Sequence, residues 1–424
     1  MAEPGANGKK AFWRLAAGGV FFQGGAAAVD SSTIIATLVH GLTGSAFAVG
    51  FASAILRYGW LFPQIFVAFL AQRRRRRMPF YKVGAFGRVA CLAAVAMLLA
   101  MSGGLSGTMV TVLFFVLWTL YAFVSGIVAV PYNDIVARSV ASARRSRLLA
   151  IRFFGGGLLA LVVAAVAHRL LNTLAFPTGY AALVGLGAVM LLMSSVSFVS
   201  AGEPLAPLPP EDGKKGFAAF LGEGIRVFRG DRHFRLFVYA QWLGGVVMMA
   251  LPFYVLQAMD AGSTVADVAF LLGAQTAGAI LSNAVWGWWG DRHGKRSLLE
   301  GIALLRVLPP LLTLFLVSAG GLWALPPWAG FAAVFMLLGA LINGGTIAML
   351  GYLMEISPDD RRPAYSGYFN AIVAPAALFP IAAAAIAETV SLSGVFVVSL
   401  AAAIAQYLTV RRLRHAGASG ENIR

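Results

Sequence analysis

The sequence is poor in charged residues, and this scarcity excludes most classes of soluble protein. Only 12% of the 424 residues are charged, whereas 59% are hydrophobic. A soluble domain carries about 25% charged and about 45–50% apolar residues. The chain therefore has too little polar surface to fold in water. We conclude that it is a polytopic membrane protein, and we exclude a soluble enzyme and a disordered tail.

Cysteine and catalytic motifs are almost absent. The single cysteine, Cys91, excludes an internal disulfide. The five histidines show no metal-ligand spacing, and the sequence contains no phosphate-binding P-loop. We therefore predict that the protein is not an enzyme and that it holds no metal and no cofactor.

Acidic residues are so few that the net charge is +16. In a soluble protein this charge would suggest nucleic acid, but in a membrane protein lysine and arginine mark the cytoplasmic loops. With the N-terminus inside, nearly all 33 basic residues lie on the cytoplasmic side. The exceptions are Arg57 and Arg306 within spans, and Arg169 outside. We therefore predict cytoplasmic N- and C-termini and no nucleic-acid partner.

The apolar residues are grouped in runs of the length that crosses a bilayer, about 20 residues. The predicted fold class is an all-α membrane protein with twelve transmembrane helices. The predicted spans are 15–39, 46–71, 83–103, 108–132, 150–171, 179–200, 236–258, 266–289, 298–318, 328–354, 365–387 and 391–410.

A proline-rich polar segment separates two sets of six spans. The predicted organisation is an N-terminal bundle (1–200), a cytoplasmic linker with an amphipathic helix (201–234), a C-terminal bundle (235–412) and a cytoplasmic tail (413–424). The two halves echo each other weakly, for example at Gln23 and Gln241. Such duplication is typical of secondary transporters, which place their site between the halves at the midplane.

The loop between spans 8 and 9 carries the most specific motif. It reads Gly287-Trp-Trp-Gly-Asp291-Arg292-His-Gly294-Lys-Arg296. This resembles the G-x-x-x-D-R-x-G-R/K-R signature of the major facilitator superfamily. The resemblance implies two six-helix bundles that work by alternating access, in a monomer of the bacterial inner membrane. It also implies that the loop is a latch that closes the cytoplasmic side.

A second motif provides a further partner for the expected latch, and the absence of other motifs distinguishes the chain from drug/proton antiporters. Glu355 and Arg362 fit the E-x6-R spacing of sugar porters of the superfamily. The corresponding loop of the first half contains arginines at 73–77 but no aspartate, so we expect no symmetric latch there. Span 5 lacks a Gly-Pro pair and span 4 lacks the embedded arginine of drug/proton antiporters. The chain resembles a bacterial subgroup of unassigned substrate.

Two charged residues lie deep inside predicted spans, where charge is costly and functional. At 1.5 Å per residue, Asp30 and Arg57 are each roughly 15 Å from the outer end of their helices. We expect both to face the central cavity and to interact. Three interpretations remain open: a structural ion pair, binding of an anionic substrate group by Arg57, and proton coupling through Asp30. Arg306, on a peripheral span, is expected to snorkel or to bind a backbone carbonyl.

Uncharged polar residues complete the predicted substrate site. The resemblance implies that spans 1, 4, 7 and 10 line the cavity, which favours Gln23, Tyr121, Gln241 and Asn343. We predict secondary active transport of a small solute, one with an anionic group if Arg57 binds it. The expected partners are this solute, the lipid bilayer and a coupling proton. Two alternatives are a non-transporting membrane assembly or sensing protein, and a proton-coupled drug or metabolite exporter.

Overall fold

The structure is a computed structural model that describes residues 6–71, 74–140, 142–204, 217–318, 327–357 and 362–413. Within these ranges all regular structure is helical. Parts of the predicted linker and of the predicted tail (205–216 and 414–424) lie outside the described residues. The seven helices of the first half are α1 (Ala6–Ala28), α2 (Ile34–Thr43), α3 (Ala46–Ala71), α4 (Met78–Ala100), α5 (Gly107–Ser139), α6 (Ser142–Thr173) and α7 (Thr178–Ser200).

The described residues of the second part of the chain form ten helices and a 3₁₀ turn. The first of these helices, α8, is amphipathic. These helices are α8 (Phe217–Gly230), α9 (Arg232–Met248), α10 (Leu251–Asp260), α11 (Asp267–Arg292), α12 (Gly294–Leu305), α13 (Leu308–Ser318), α14 (Pro327–Ile356), α15 (Arg362–Val373), α16 (Phe379–Thr389) and α17 (Leu392–Arg411).

Eleven helical segments of the described residues are long and apolar enough to cross a membrane. The multi-pass membrane character of the chain is thereby confirmed. The first predicted span is not among these eleven; it comprises α1 and the short apolar helix α2. The count of twelve and the cytoplasmic termini stay predictions.

Two spans at corresponding places in the halves are interrupted near their middle. The first is interrupted by the turn 29–33 between α1 and α2, and the seventh by Met249 and Ala250 between α9 and α10. Pro252 lies in the first turn of α10, where proline is tolerated because its missing N–H has no helical partner. Interrupted spans free backbone groups inside the membrane, and transporters use such breaks to build binding sites.

The helices pack in two bundles. In the first half α1 packs against α6 and α7, and α5 packs against α3 and α4. In the second half α11 packs against α14, and α9 packs against α17. The approach of α11 to α14 is so close that a Cβ at Gly278 or Gly339 would overlap a backbone carbonyl of the other helix. Small residues at such positions permit close helix packing in membranes.

The bundles meet through α6 with α11 and through α3 with α16. We call the end of the molecule that carries Arg77, Arg138 and Arg296 the basic end, and the opposite end the far end. At the far end Glu388 accepts hydrogen bonds from the Ser45 hydroxyl and from the backbone N–H of Phe47, 2.9 Å away. These bonds join the two halves.

Candidate functional site

A polar cavity of about 240 Å³ lies between the two bundles. Its walls come from α1 and α6 of the first half and from α11 and α14 of the second half. Small residues such as Gly156, Gly157 and Gly339 leave the space open. The polar side chains in the lining are Gln23, Asp30, Gln275, Thr276, Asn283 and Asn343.

Asp30 is held by the break in the first span. Its Oδ1 accepts hydrogen bonds from the backbone N–H groups of Ser32 and Thr33, both at 3.0 Å. The Ser32 hydroxyl at 2.6 Å and the Thr33 hydroxyl at 2.9 Å also donate to Oδ1. The carboxylate therefore lies at the start of α2, where the helix dipole favours negative charge. From the sequence alone Asp30 was placed inside a continuous first span, and the interruption at Asp30-Ser-Ser-Thr33 was not predicted.

The structure does not bring Asp30 and Arg57 together. Arg57 donates from Nη2 to the backbone carbonyl of Met248, 3.5 Å away, at the break between α9 and α10. The described residues show no ion pair between Arg57 and Asp30, and Arg57 is not among the residues that line the cavity. The expected pair thus makes no direct contact in this structure, and an interaction through water stays a prediction. The guanidinium is instead directed at the carbonyl end of α9, where a helix dipole favours a cation.

Amides of the second half form the opposite wall of the cavity. Asn343 donates from Nδ2 to Asn283 Oδ1 at 3.3 Å and to the carbonyl of Ala279 at 3.4 Å. The side chain of Gln275 is 3.5 Å from the hydroxyl of Ser32 across the bundle interface. Gln23 and Asn343 therefore lie where the sequence predicts them, and Gln275 and Asn283 join them.

Two predicted contact residues lie elsewhere. Tyr121 is only 8% exposed and stacks on Trp118, with 5.0 Å between ring centroids, inside the first bundle. Gln241 lies on α9 and has a buried Nε2 without a hydrogen-bond partner. Neither residue lines the cavity, because the inner faces of α5 and α9 pack against neighbouring helices of their own bundle.

The predicted latch loop forms a tight turn between α11 and α12. Gly294 has φ +83°, a left-handed conformation that favours glycine. Asp291 is 82% exposed and accepts a hydrogen bond from Lys295 at 2.9 Å. The guanidinium of Arg292 lies over the ring of Trp288, and Arg296 donates to the carbonyl of Leu413 at 2.6 Å.

Two other latch residues, Gly287 and Glu355, show no contact within the described part of the chain that ties the loop to the first half. A Cβ at Gly287 would meet nothing within 4 Å. Glu355 is exposed near the end of α14. Arg362 begins α15, and its side chain lies outside the described part of the chain.

The loop of the first half, where no latch is expected, carries an ion-pair network instead. Asp134 pairs with Arg77 and with Arg138, and Arg138 pairs with Glu203 at 2.9 Å. Glu203 also accepts from the backbone N–H groups of Arg77 at 2.7 Å and Met78 at 2.8 Å. The sequence predictions place Glu203 in the linker 201–234 and contain no hint of this network.

The network shifts the pKa values of its members. Burial of Glu203 would raise the pKa of its carboxyl group, but the hydrogen bonds from Arg138, Arg77 and Met78 outweigh it and lower the pKa overall. For Arg77, burial lowers the pKa, the nearby Arg138 lowers it further, and Glu203 opposes both effects. Glu203 therefore stays ionised well into the acid range.

Each bundle also buries an arginine on corresponding spans, Arg88 and Arg306. Arg306 was expected to snorkel or to bind a backbone carbonyl, but it donates from Nη1 to Gln406 Oε1 at 3.2 Å inside the second bundle. Gln406 in turn donates to the carbonyl of Ala240 at 2.9 Å. Arg88 is 4% exposed and lies over the ring of Phe22. The snorkelling expectation is corrected because Gln406 on α17 offers an acceptor within the bundle.

These features define a class of protein. The chain is a multi-pass helical membrane protein with two packed bundles and a polar cavity between them, as transporters have. The sequence model of the Major Facilitator Superfamily matches residues 247–421, and the fold is shared with transporters of this type over nearly the whole chain. The resemblance seen in the loop signature is thereby confirmed.

Solved structures with a similar fold have very different sequences. A crystal structure of nucleoside transporter NupG matches with a TM-score of 0.74 and 12% identity, over 96% of this chain and 100% of that chain. A D-xylose-proton symporter matches with a TM-score of 0.72 and 13% identity, over 96% and 98%. A bacterial homologue of iron transporter ferroportin in an inward-facing state matches with a TM-score of 0.64 and 14% identity, over 96% and 98%. At these identities the likeness shows the fold alone.

Curated relatives are also distant. Uncharacterized protein Rv2209 of Mycobacterium tuberculosis (strain ATCC 25618 / H37Rv) and Uncharacterized protein Mb2232 of Mycobacterium bovis (strain ATCC BAA-935 / AF2122/97) are each 22% identical over 355 residues. The match covers 83% of this chain. The chain spans 66% of the length of these relatives.

Proposed function

We propose that the protein is a secondary transporter that moves a small polar solute across a membrane through the cavity between its bundles. The observation that carries this proposal is the position of the cavity, which is lined by polar side chains from both halves and lies beside the break in the first span. A site shared by two bundles can be exposed to each side in turn when the bundles rock about it.

The lining favours a neutral or cationic solute over an anionic one. Asp30 is the one ionisable side chain among the described residues that line the cavity. Its Oδ1 accepts four hydrogen bonds from Ser32 and Thr33, and no described residue donates to Oδ2. The carboxylate can therefore accept from an ammonium or hydroxyl group of a solute. Arg57, on which the idea of an anionic solute rests, lies outside the lining.

The contacts between the bundles favour a state closed at the far end. Glu388 joins the halves there, and His168 on α6 contacts the carbonyl of Ala266 at 2.9 Å across the same end. The exposed side chain of Asp291 at the basic end fits a latch that is released in this state. With the basic end in the cytoplasm, as the distribution of arginine and lysine predicts, this is an inward-facing state.

A binding panel tests the solute class. Purified protein is heated with neutral, cationic and anionic metabolites, because a ligand at a hundredfold excess over its Kd stabilises the folded form by ~2.7 kcal/mol. We expect stabilisation by neutral or cationic compounds that is lost in Asp30→Asn and kept in Arg57→Ala. The matched control is Asp260→Asn, which removes a carboxylate at the end of α10, outside the cavity lining.

Flux in proteoliposomes then tests transport of each compound that binds. Saturable uptake that Asp30→Asn abolishes and Asp260→Asn leaves intact supports the proposal. Stabilisation by anionic compounds that Arg57→Ala removes would contradict the proposed solute class. Binding without flux under any gradient would favour the sensing alternative. Uptake by Asp30→Asn with unchanged pH dependence would exclude Asp30 as the coupling group.

A further inference from the structure

A second cavity, of about 180 Å³, lies at the basic end where α1 and α6 begin side by side. It is separate from the central cavity, and the transport proposal makes no use of it. Residues three or four apart on a helix face the same side. The lining residues of α1 therefore form one cluster and those of α6 a second, and the two clusters meet at the cavity. The lining residues are Lys9, Phe12, Trp13, Arg144 and Arg147.

The described lining of this cavity carries positive charge. Arg144 and Arg147 of α6 both line it, and none of the described lining residues is acidic. Neither α1 nor α6 has an acidic residue in its first turn. The first turns of two helices add the positive ends of two helix dipoles to the same region. Backbone N–H groups at helix starts also bind phosphate directly. The combination favours an anion with several acceptor oxygens, such as phosphate.

The aromatic residues indicate that this phosphate belongs to a lipid. Trp13 is 56% exposed, and its ring meets the ring of Phe12 edge-on, with 5.7 Å between centroids. Tryptophan is enriched at the level of the lipid headgroups, where one part of the ring is apolar and another is wet. A site for a free phosphate needs no such exposed apolar ring. Basic pockets between membrane helices at this level bind anionic headgroups.

We propose that this cavity binds the phosphodiester headgroup of an anionic phospholipid. Arg144 and Arg147 contact the phosphate, and Trp13 packs on the upper part of the acyl chains. Because α1 and α6 also carry Gln23 and Gly156 of the central cavity, a lipid bridging their first turns holds together two helices that line the transport site.

Fluorescence quenching by brominated lipids tests this site. Bromine on an acyl chain quenches tryptophan in contact with it, and the signal of Trp13 is the difference between wild type and Trp13→Phe. We expect brominated phosphatidylglycerol to quench Trp13 at a several-fold lower mole fraction than brominated phosphatidylcholine. The double variant Arg144→Gln/Arg147→Gln is expected to lose this preference.

The matched control is Lys82→Gln/Arg232→Gln, which removes two exposed cations that do not line the cavity. Preference kept in this control and lost in the arginine variant, with quenching by phosphatidylcholine unchanged in both, supports the proposal. Equal loss in both variants would show a general charge effect and overturn it. Loss of the preference when inorganic phosphate is added at the lipid concentration would assign the site to free phosphate, and no preference in wild type would exclude an anionic-lipid site.

Discussion

The two halves of the molecule organise their basic ends differently. In the first half, which lacks the loop signature, Asp134 and Glu203 bind two arginines in a network where the Glu203 side chain is only 6% exposed. In the second half, which carries the full signature, the side chain of Asp291 is 82% exposed and pairs with Lys295, four residues later across the turn between α11 and α12. Among the described residues, the acidic partner Glu203 of the first half is therefore far more buried than the signature aspartate of the second half.

The difference shows which structural features the loop signature determines and which it does not. In this state the signature determines the turn between α11 and α12, because Gly294 adopts a positive φ that other residues rarely adopt. The network of the first half depends on three separate segments that meet: the loop before α4, the end of α5 and the chain just after α7. Partly buried pairs with hydrogen-bonded carboxylates bind more strongly than exposed ones.

The largest expected effect is the loss of Glu203. Glu203→Ala removes one of the acceptors of Arg138 and the carboxylate that accepts from the backbone N–H groups of Arg77 and Met78. Breaking a buried pair by removing one partner costs about 3 kcal/mol or more. We expect a loss of unfolding free energy of this order, measured by equilibrium unfolding in mixed micelles. A loss below about 1 kcal/mol would show that the network contributes no more than a surface pair.

The same carboxylate predicts how the first half responds to acid. The pKa of Glu203 is lowered in the folded protein, so the unfolded state binds its proton first as the pH falls. Its contribution to stability is complete above the ordinary glutamate pKa of about 4.3 and is lost as the pH falls through the lower, folded value. We expect the melting temperature of wild type to fall below about pH 5 more steeply than that of Glu203→Gln. Parallel curves for the two proteins would contradict this assignment.

The helical spans could be predicted from the sequence because each depends on local composition. Runs of about 20 apolar residues require a helix in lipid, where every backbone group must be bonded within the segment. The ends were less predictable: α5 runs to Ser139 and α14 to Ile356, past the predicted 132 and 354, since polar residues such as Asp134 and Glu355 continue the helix after the apolar run. The break at Asp30 escaped prediction because apolar runs flank the short polar stretch 30–33 on both sides.

The site was less predictable because it depends on how helices rotate against each other. Gln23 and Asn343 were predicted to face the cavity because of their span numbers, and Asp30 because of its charge and depth; all three line it. The same reasoning failed for Tyr121 and Gln241, since the face that a residue occupies on a wholly apolar helix leaves no trace in hydrophobic periodicity. The partner of Arg306 is 100 residues away at Gln406, and no local pattern connects them.

The smallest expected effect is the loss of the latch carboxylate. Asp291→Asn removes an exposed pair with Lys295, and exposed pairs contribute roughly 0–1 kcal/mol. We expect the unfolding free energy to change by less than about 0.5 kcal/mol. If Asp291 instead stabilises the opposite state, its loss changes the balance between states. That balance is measured by the labelling rate of Thr276→Cys in the cavity, in a Cys91→Ser background.

Loss of the latch favours the state open at the basic end, so Asp291→Asn is expected to raise the labelling rate of the cavity cysteine. The control is Asp267→Asn, which removes a carboxylate at the other end of the same helix, where it accepts from Thr264 at the far end. A destabilisation by Asp291→Asn as large as that by Glu203→Ala would contradict the contrast between the halves. Unchanged stability with faster labelling would show that the ion pairs of the first half stabilise this state, whereas the Asp291 carboxylate of the second half stabilises the opposite state.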